Sequence, residues 1–117
     1  MELDELKIYA QYVELMYYTN LILKKYPKSE RYALVNDIKD ATNLGMEYII
    51  TAHRELDKKK RIEILNGLDV KLKFIKVLIR ISYKNKYISA GNYGAWSKKL
   101  TNIGNLLGGW IKSCLKQ

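Results

Sequence analysis

No aspartate or glutamate follows Asp69 in this 117-residue chain, so everything from Val70 to Gln117 carries basic charge with nothing acidic to offset it. Cysteine occurs once, at Cys114, which excludes an internal disulfide and fits a reducing compartment. Histidine also occurs once, at His53, so the Glu-x-x-His pairs of a carboxylate-bridged metal bundle are missing and no metal or cofactor is expected. A single proline and seven glycines leave no room for long linkers. Apolar runs such as Val77-Leu78-Ile79 and Leu106-Leu107 fall far short of the ~20 residues of a membrane span, and charges interrupt every candidate. The start, Met1-Glu2-Leu3-Asp4-Glu5, is acidic where an export signal is basic and then apolar, so a cytoplasmic protein is expected. Strand-like alternation, internal repeats and low-complexity segments are absent as well.

What remains is helical periodicity. Leu6, Tyr9, Val13, Met16 and Leu21 fall mostly three or four apart and predict a first helix over about 3–25 with that face inward. Pro27 stops it, because the residue before a proline is pushed out of the helical region. Ser29 is the expected cap of a second helix over about 30–54, whose inner face reads Ala33 or Leu34, Ile38, Ala41, Gly45, Tyr48 or Ile49, and Ala52. Asp57 caps a third over about 58–86, with Ile62, Leu65, Leu68, Leu72, Ile75, Ile79 and Ser82 inward. Ser89 caps a fourth over about 89–115, with Tyr93, Trp96, Leu100, Ile103, Leu107, Ile111 and Cys114 inward. Four long helices joined by short turns imply an all-α, antiparallel, up-down-up-down four-helix bundle, forming one domain over residues 1–117. A domain of this size exposes enough surface that oligomer formation would help it.

Charge is divided along the sequence. Met1 to Leu56 holds seven Lys/Arg and nine Asp/Glu, whereas Asp57 to Gln117 holds fourteen and three, within a net charge of +9. A folded basic half is the electrostatic footprint of a polyanion partner. Its densest feature is Lys73, Lys76, Arg80 and Lys84, spaced three, four and four apart so that they share one stripe, expected opposite the apolar face of the third helix. Like charges at this spacing oppose one another by a few tenths of a kcal/mol per pair, and no acidic residue after Val70 relieves them. Lys58, Lys59, Lys60, Arg61, Lys86, Lys98 and Lys99 extend the candidate nucleic-acid surface. Lysine-dominated contacts neutralise backbone phosphates without reading bases; Tyr83 and Tyr87 lie beside the stripe where a base could stack.

Enzyme chemistry has little to stand on. His53 sits near a helix end beside Arg54 and Glu55 and reads as a surface or capping side chain. Cys114 lies on an apolar face and reads as a small core residue. Glu14 and Glu47 could face each other, but two carboxylates alone do not make a metal bundle. Gly104, Gly108 and Gly109 are more telling, because each glycine in a helix interior costs about 1 kcal/mol relative to alanine. Keeping them argues for the close approach of another backbone or a bulky ring, such as Trp110, either inside the bundle or at a subunit boundary. Gly104 and Gly108 have the spacing of a small-residue contact between membrane helices, yet Lys98, Lys99 and Lys112 bracket a stretch too short to span.

Two segments resemble a known family. Lys25-Tyr26-Pro27-Lys28-Ser29-Glu30-Arg31-Tyr32-Ala33-Leu34 is similar to the loop between helices one and two of the accessory variability determinant proteins of diversity-generating retroelements, and Ile103 to Trp110 resembles the Gly-rich end of their fourth helix. With the helix order agreeing in between, the resemblance covers nearly the whole chain. It implies a ring-shaped homopentamer of basic four-helix bundles. It also implies a non-catalytic subunit that binds a dedicated reverse transcriptase and its template RNA or cDNA, supporting mutagenic copying of a template repeat into a variable gene. The related proteins encoded by intervening sequences in ribosomal RNA genes share the fold. They carry an Asn-Ile-Ala-Glu-Gly type stretch where this chain reads Leu44-Gly45-Met46-Glu47-Tyr48-Ile49, a departure that favours the retroelement branch. The alternative function is a basic scaffold of that second type, docking an acidic protein and never meeting nucleic acid.

Overall fold

A computed structural model describes residues 1–116. A 3-10 turn at Leu3–Glu5 precedes α1 (Lys7–Leu23), a second at Lys28–Glu30 precedes α2 (Leu34–Arg54), and α3 (Lys58–Lys84) and α4 (Ala90–Leu115) follow. Each helix packs on its neighbours in sequence and α4 closes on α1, giving an all-α bundle of 47 × 25 × 22 Å. Among the described residues there is no strand.

The interior is continuous from end to end. Trp96, Tyr12, Leu15, Ile38, Ile49, Leu65, Leu68, Ile75, Ile79, Leu100, Ile103 and Leu107 are fully buried. On α2, α3 and α4 the inward residues are those that the spacing predicts, with Ile62, Tyr93 and Ile111 only half-buried and Thr42 and Leu78 added. On α1 the expected face is wrong by one position. Ile8, Tyr12, Leu15, Thr19 and Ile22 point inward, while Leu6, Tyr9, Val13 and Met16 are half-buried and Leu21 is 60% exposed. The helix is apolar on most sides, so periodicity alone offers two faces, and two tertiary fits decide between them. The Tyr12 hydroxyl donates to the Thr42 carbonyl oxygen at 2.6 Å and occupies the space a Cβ on Gly45 would need. The Trp96 indole Nε1 donates to Thr19 Oγ1 at 3.1 Å, so the polar atom on each side of a buried contact has a partner.

The caps agree in two places and differ in one. Asp57 accepts from the amides of Lys59 and Lys60 at 2.9 and 3.4 Å, and Ser89 Oγ accepts from Asn92 N at 3.0 Å. Ser29 instead lies inside the 3-10 turn, and α2 begins four residues later than expected. The carboxylate of Glu30 does the work there, with its Oε2 accepting from Leu34 N at 3.3 Å. The first helix likewise starts at Lys7, because Leu6 is extended (φ −74°, ψ 127°) and separates it from the short turn before.

The end of α3 carries one unusual backbone. Lys86 has φ 64°, in the left-handed region where a Cβ is unwelcome. Its amide bonds the Tyr83 carbonyl at 2.9 Å and that of Tyr87 bonds Ser82 at 3.0 Å, which is the paired closure that usually places glycine at this position.

Candidate nucleic-acid interface

The topology converts a sequence asymmetry into an axial one. Antiparallel packing puts the C-terminal halves of α1 and α3 and the N-terminal halves of α2 and α4 at one end of the bundle. The Tyr26 and Tyr87 rings meet there at 5.6 Å, and the Tyr87 hydroxyl donates to Glu30 Oε1 at 3.1 Å. Cut across the middle of each helix, that end (residues 16–44 and 72–102) holds twelve of the 21 Lys/Arg and three of the 12 Asp/Glu. The opposite end holds nine of each. The whole net charge of +9 therefore belongs to one end, to which the acidic sequence half contributes Lys24, Lys25, Lys28, Arg31 and Lys39. Counting along the sequence hides these five behind carboxylates that fold to the far end.

Lys73, Lys76, Arg80 and Lys84 do share one exposed stripe. They share the outward side of the helix with a second row. That second row is Val70, Phe74, Val77 and Ile81, spaced four, three and four apart and all exposed, with Val70 at 64% and Val77 at 53%. The basic row lies beside it on the α4 flank, where Lys76 Nζ donates to Thr101 Oγ1 at 3.3 Å. Nor is the stripe wholly unrelieved: Lys73 Nζ pairs with Asp69 Oδ2 at 2.7 Å, one residue before the acid-free stretch begins. That pair is exposed and contributes little, and Lys76, Arg80 and Lys84 make no ion pair among the described residues.

The tyrosines separate into two roles. Tyr83 stacks on Tyr93 with ring centroids 4.6 Å apart and planes 3° from parallel, and at 40% exposure it keeps an accessible surface beside Arg80 and Lys84. Tyr87 is committed to structure through Tyr26 and Glu30, and its phenol is raised above the usual range chiefly by its hydrogen bond to Glu30. It is not available as a platform for a base.

Lys58, Lys59, Lys60 and Arg61 open α3 and Lys84 closes it, 27 residues from end to end, which at ~1.5 Å per residue puts them roughly 40 Å apart. The two clusters form no common patch. Arg61 donates through Nε, at 2.9 Å, and through its second guanidinium nitrogen to the Glu55 carbonyl, bracing the α2–α3 turn. Of the two further lysines on α4, Lys98 is exposed and Lys99 sits 5.2 Å over the Tyr18 ring.

Three glycines in the second half of α4 face open space among the described residues. A Cβ added at Gly104, Gly108 or Gly109 would meet nothing within 4 Å beyond its own chain neighbours, and Trp110 packs against the core. The expectation of an approach inside the bundle is therefore overturned. Gly45 is the residue whose missing side chain an internal neighbour requires.

Cys114 is buried, and His53 Nε2 lies 2.9 Å from the Met1 carbonyl oxygen. Among the described residues no three His, Cys, Asp or Glu side chains gather to hold a metal, and no helix is long and apolar enough to cross a membrane. A family model described as bAvd-like matches residues 6–114. None of the curated proteins compared with the chain matches it.

Proposed function

We propose, from the premise that the chain belongs to the bAvd-like family of bacterial accessory variability determinants, that it is the nucleic-acid-binding subunit of a diversity-generating retroelement. The family is an accessory, non-catalytic one. In this role the protein holds the template RNA or its cDNA beside the element's reverse transcriptase and leaves the chemistry to that enzyme. The observation that carries the reading is the confinement of the net charge to one end, where Arg80, Lys84 and Lys86 make no ion pair among the described residues and lie near the Tyr83–Tyr93 stack. Such a surface grips phosphates, releases counterions and tolerates any sequence.

The exposed row Val70, Phe74, Val77 and Ile81 supplies the protein contact that such a subunit needs. Packing it against a neighbouring copy, with the open glycine face of α4 at the same boundary, builds the ring-shaped pentamer. Repetition of the basic end around a ring raises a weak affinity per subunit by avidity.

The test is Lys76→Glu combined with Arg80→Glu, measured by RNA binding across a salt series. Both side chains are exposed, so the bundle stays folded, while the slope of log affinity against log salt falls by about two phosphate contacts. Unchanged binding would remove the site from α3. Release of the bound partner by unrelated nucleic acids supports the reading. Retention of an acidic protein that nucleic acid does not displace would favour the scaffold alternative.

A further inference from the structure

The segment joining α1 to α2 encloses a half-open cavity of about 760 Å³, within the range of small-molecule sites. It is lined by Asn20, Leu23, Lys24, Tyr26, Pro27, Lys28, Arg31, Val35 and Lys39. Two features set it apart from a surface dimple. Four cations, Lys24, Lys28, Arg31 and Lys39, ring it with no carboxylate among the lining residues. None of the four side chains makes a hydrogen bond or ion pair among the described residues; Glu30, next to Arg31, is turned to Leu34 N and the Tyr87 hydroxyl, and Asp37 and Asp40, near Lys39, line a separate groove with Phe74. The remaining wall is apolar, from buried Leu23 and Tyr26, half-buried Val35, and Pro27. A concave site lined by one sign of charge concentrates counter-ions, and a low-dielectric wall beside it strengthens that field. The fork of Arg31 matches the geometry of a phosphate.

We propose that this cavity is a nucleotide-phosphate site: the cations take a di- or triphosphate, or the phosphorylated end of a nucleic-acid chain, and the apolar wall receives the sugar and base, with the Asn20 amide able to hydrogen-bond an edge. The site is separate from the α3 stripe and stands even if that stripe binds no nucleic acid. Ring contact between Tyr26 and Tyr87 ties the floor of the cavity to the α3–α4 turn that bears Lys86, so an occupant would be felt at the basic end.

The experiment is isothermal titration of the full chain with ATP, inorganic pyrophosphate and adenosine, and with one oligonucleotide bearing either a 5′-phosphate or a 5′-hydroxyl. Two variants accompany it: Arg31→Gln with Lys39→Gln, and Lys76→Gln with Arg80→Gln as the control on α3. All four side chains are exposed, and circular dichroism checks that both variants fold. ATP and pyrophosphate should bind where adenosine does not. The Arg31/Lys39 variant should lose at least about tenfold in affinity, since each charged hydrogen bond removed is worth more than one factor of that size. The α3 variant should stay within about twofold, because its charges act only through screened distance. A pocket-dependent preference for the 5′-phosphate assigns the site to a chain end, and its absence alongside ATP binding assigns it to a free nucleotide. Failure of both phosphate probes to bind, or equal losses in the two variants, overturns the proposal; RNA binding that persists while ATP fails would leave the α3 interface standing alone.

Discussion

Replacing Lys86 with glycine should make this protein more stable and a poorer ligand for polyanions. Lys86 is held at φ 64° by two backbone bonds, its own amide to Tyr83 and that of Tyr87 to Ser82, at 2.9 and 3.0 Å. A side chain with a Cβ costs roughly 1–2 kcal/mol in that conformation. Its exposed ammonium makes no hydrogen bond or ion pair that would repay the cost. Against the gain stand the extra freedom of glycine in the unfolded chain, about 0.4–1 kcal/mol, and a few tenths of a kcal/mol from a cation lost near a helix C-terminus. The net is a stabilisation of roughly 0.5 kcal/mol, which for a domain of this size raises the melting temperature by about 2–4 °C. Asparagine, which tolerates the left-handed region, should fall between glycine and lysine, and valine should fall below lysine.

Thermal unfolding followed by circular dichroism at two salt concentrations ranks the four proteins, and the same samples titrated with RNA report the binding cost. Losing one phosphate contact should lower the salt slope by about one. If glycine is no more stable than lysine, or valine is the more stable of the two substitutions, the strain assigned to this turn is absent. If glycine is more stable and binds RNA equally well, Lys86 is not part of the interface.

Gly45→Ala should destabilise by about 1–3 kcal/mol in chemical denaturation, overriding the ~1 kcal/mol that alanine gains in a helix, because the new Cβ falls on the Tyr12 hydroxyl. Tyr12→Phe should soften that penalty by about 1 kcal/mol in a double-mutant cycle, and strict additivity would refute the contact. Raising the pH above 10 should destabilise the bundle. Burial pushes the phenol of Tyr26 up to about 12 and that of Tyr12 further, so their stabilising contribution is complete below the unfolded value near 10 and is lost as pH climbs through the folded ones. A flat stability profile between pH 9 and roughly 11.5 would contradict it. Val77→Glu, which places a charge in the exposed apolar row, should reduce the mass measured by light scattering from an oligomer toward a single chain without altering helix content. An unchanged mass would move the subunit boundary off α3.

The sequence is most legible where local chemistry decides structure alone. Asp57 and Ser89 cap the helices that follow them because a short acceptor side chain needs only the next turn of backbone. The inner faces of α2 and α4 are readable because polar residues mark their outer sides, and that of α3 because its buried leucine and isoleucine repeat runs the length of the helix. On α1, Ile8, Tyr9, Tyr12, Val13, Leu15 and Met16 offer two faces of equal merit. The choice rests on Gly45 and Trp96, which are 33 and 77 residues from their partners Tyr12 and Thr19. Glu30 as the cap of α2 is hidden for a related reason, since it ends a 3-10 turn and residues 31–33 separate it from the helix. The candidate interface is half visible: the row Lys73, Lys76, Arg80 and Lys84 follows from spacing, whereas its sharing one end of the bundle with Lys24, Lys28 and Arg31 needs the fold. The row Val70, Phe74, Val77 and Ile81 did have a signal, a four-three-four repeat interleaved with the lysines, but it competes with the stronger repeat of Leu68, Leu72, Ile75 and Ile79 on the same helix.

An axial charge and a lateral apolar row constrain each other in any assembly. If copies pack side by side through α3 with their axes running the same way, the basic ends collect on one rim and repel across every boundary; opposed axes would alternate basic and neutral ends. Twelve cations against three anions at each such end make the first arrangement unfavourable in low salt unless a polyanion lies along the rim. Nucleic acid that neutralises the rim must then bind the assembled form more tightly than the single chain. By reciprocity, it strengthens assembly by the same factor that assembly strengthens binding. Polyanion and subunit contact are thus coupled without any change in the shape of the bundle. Val77→Glu, which attacks only the apolar row, should weaken RNA binding through lost avidity even though no phosphate contact is touched.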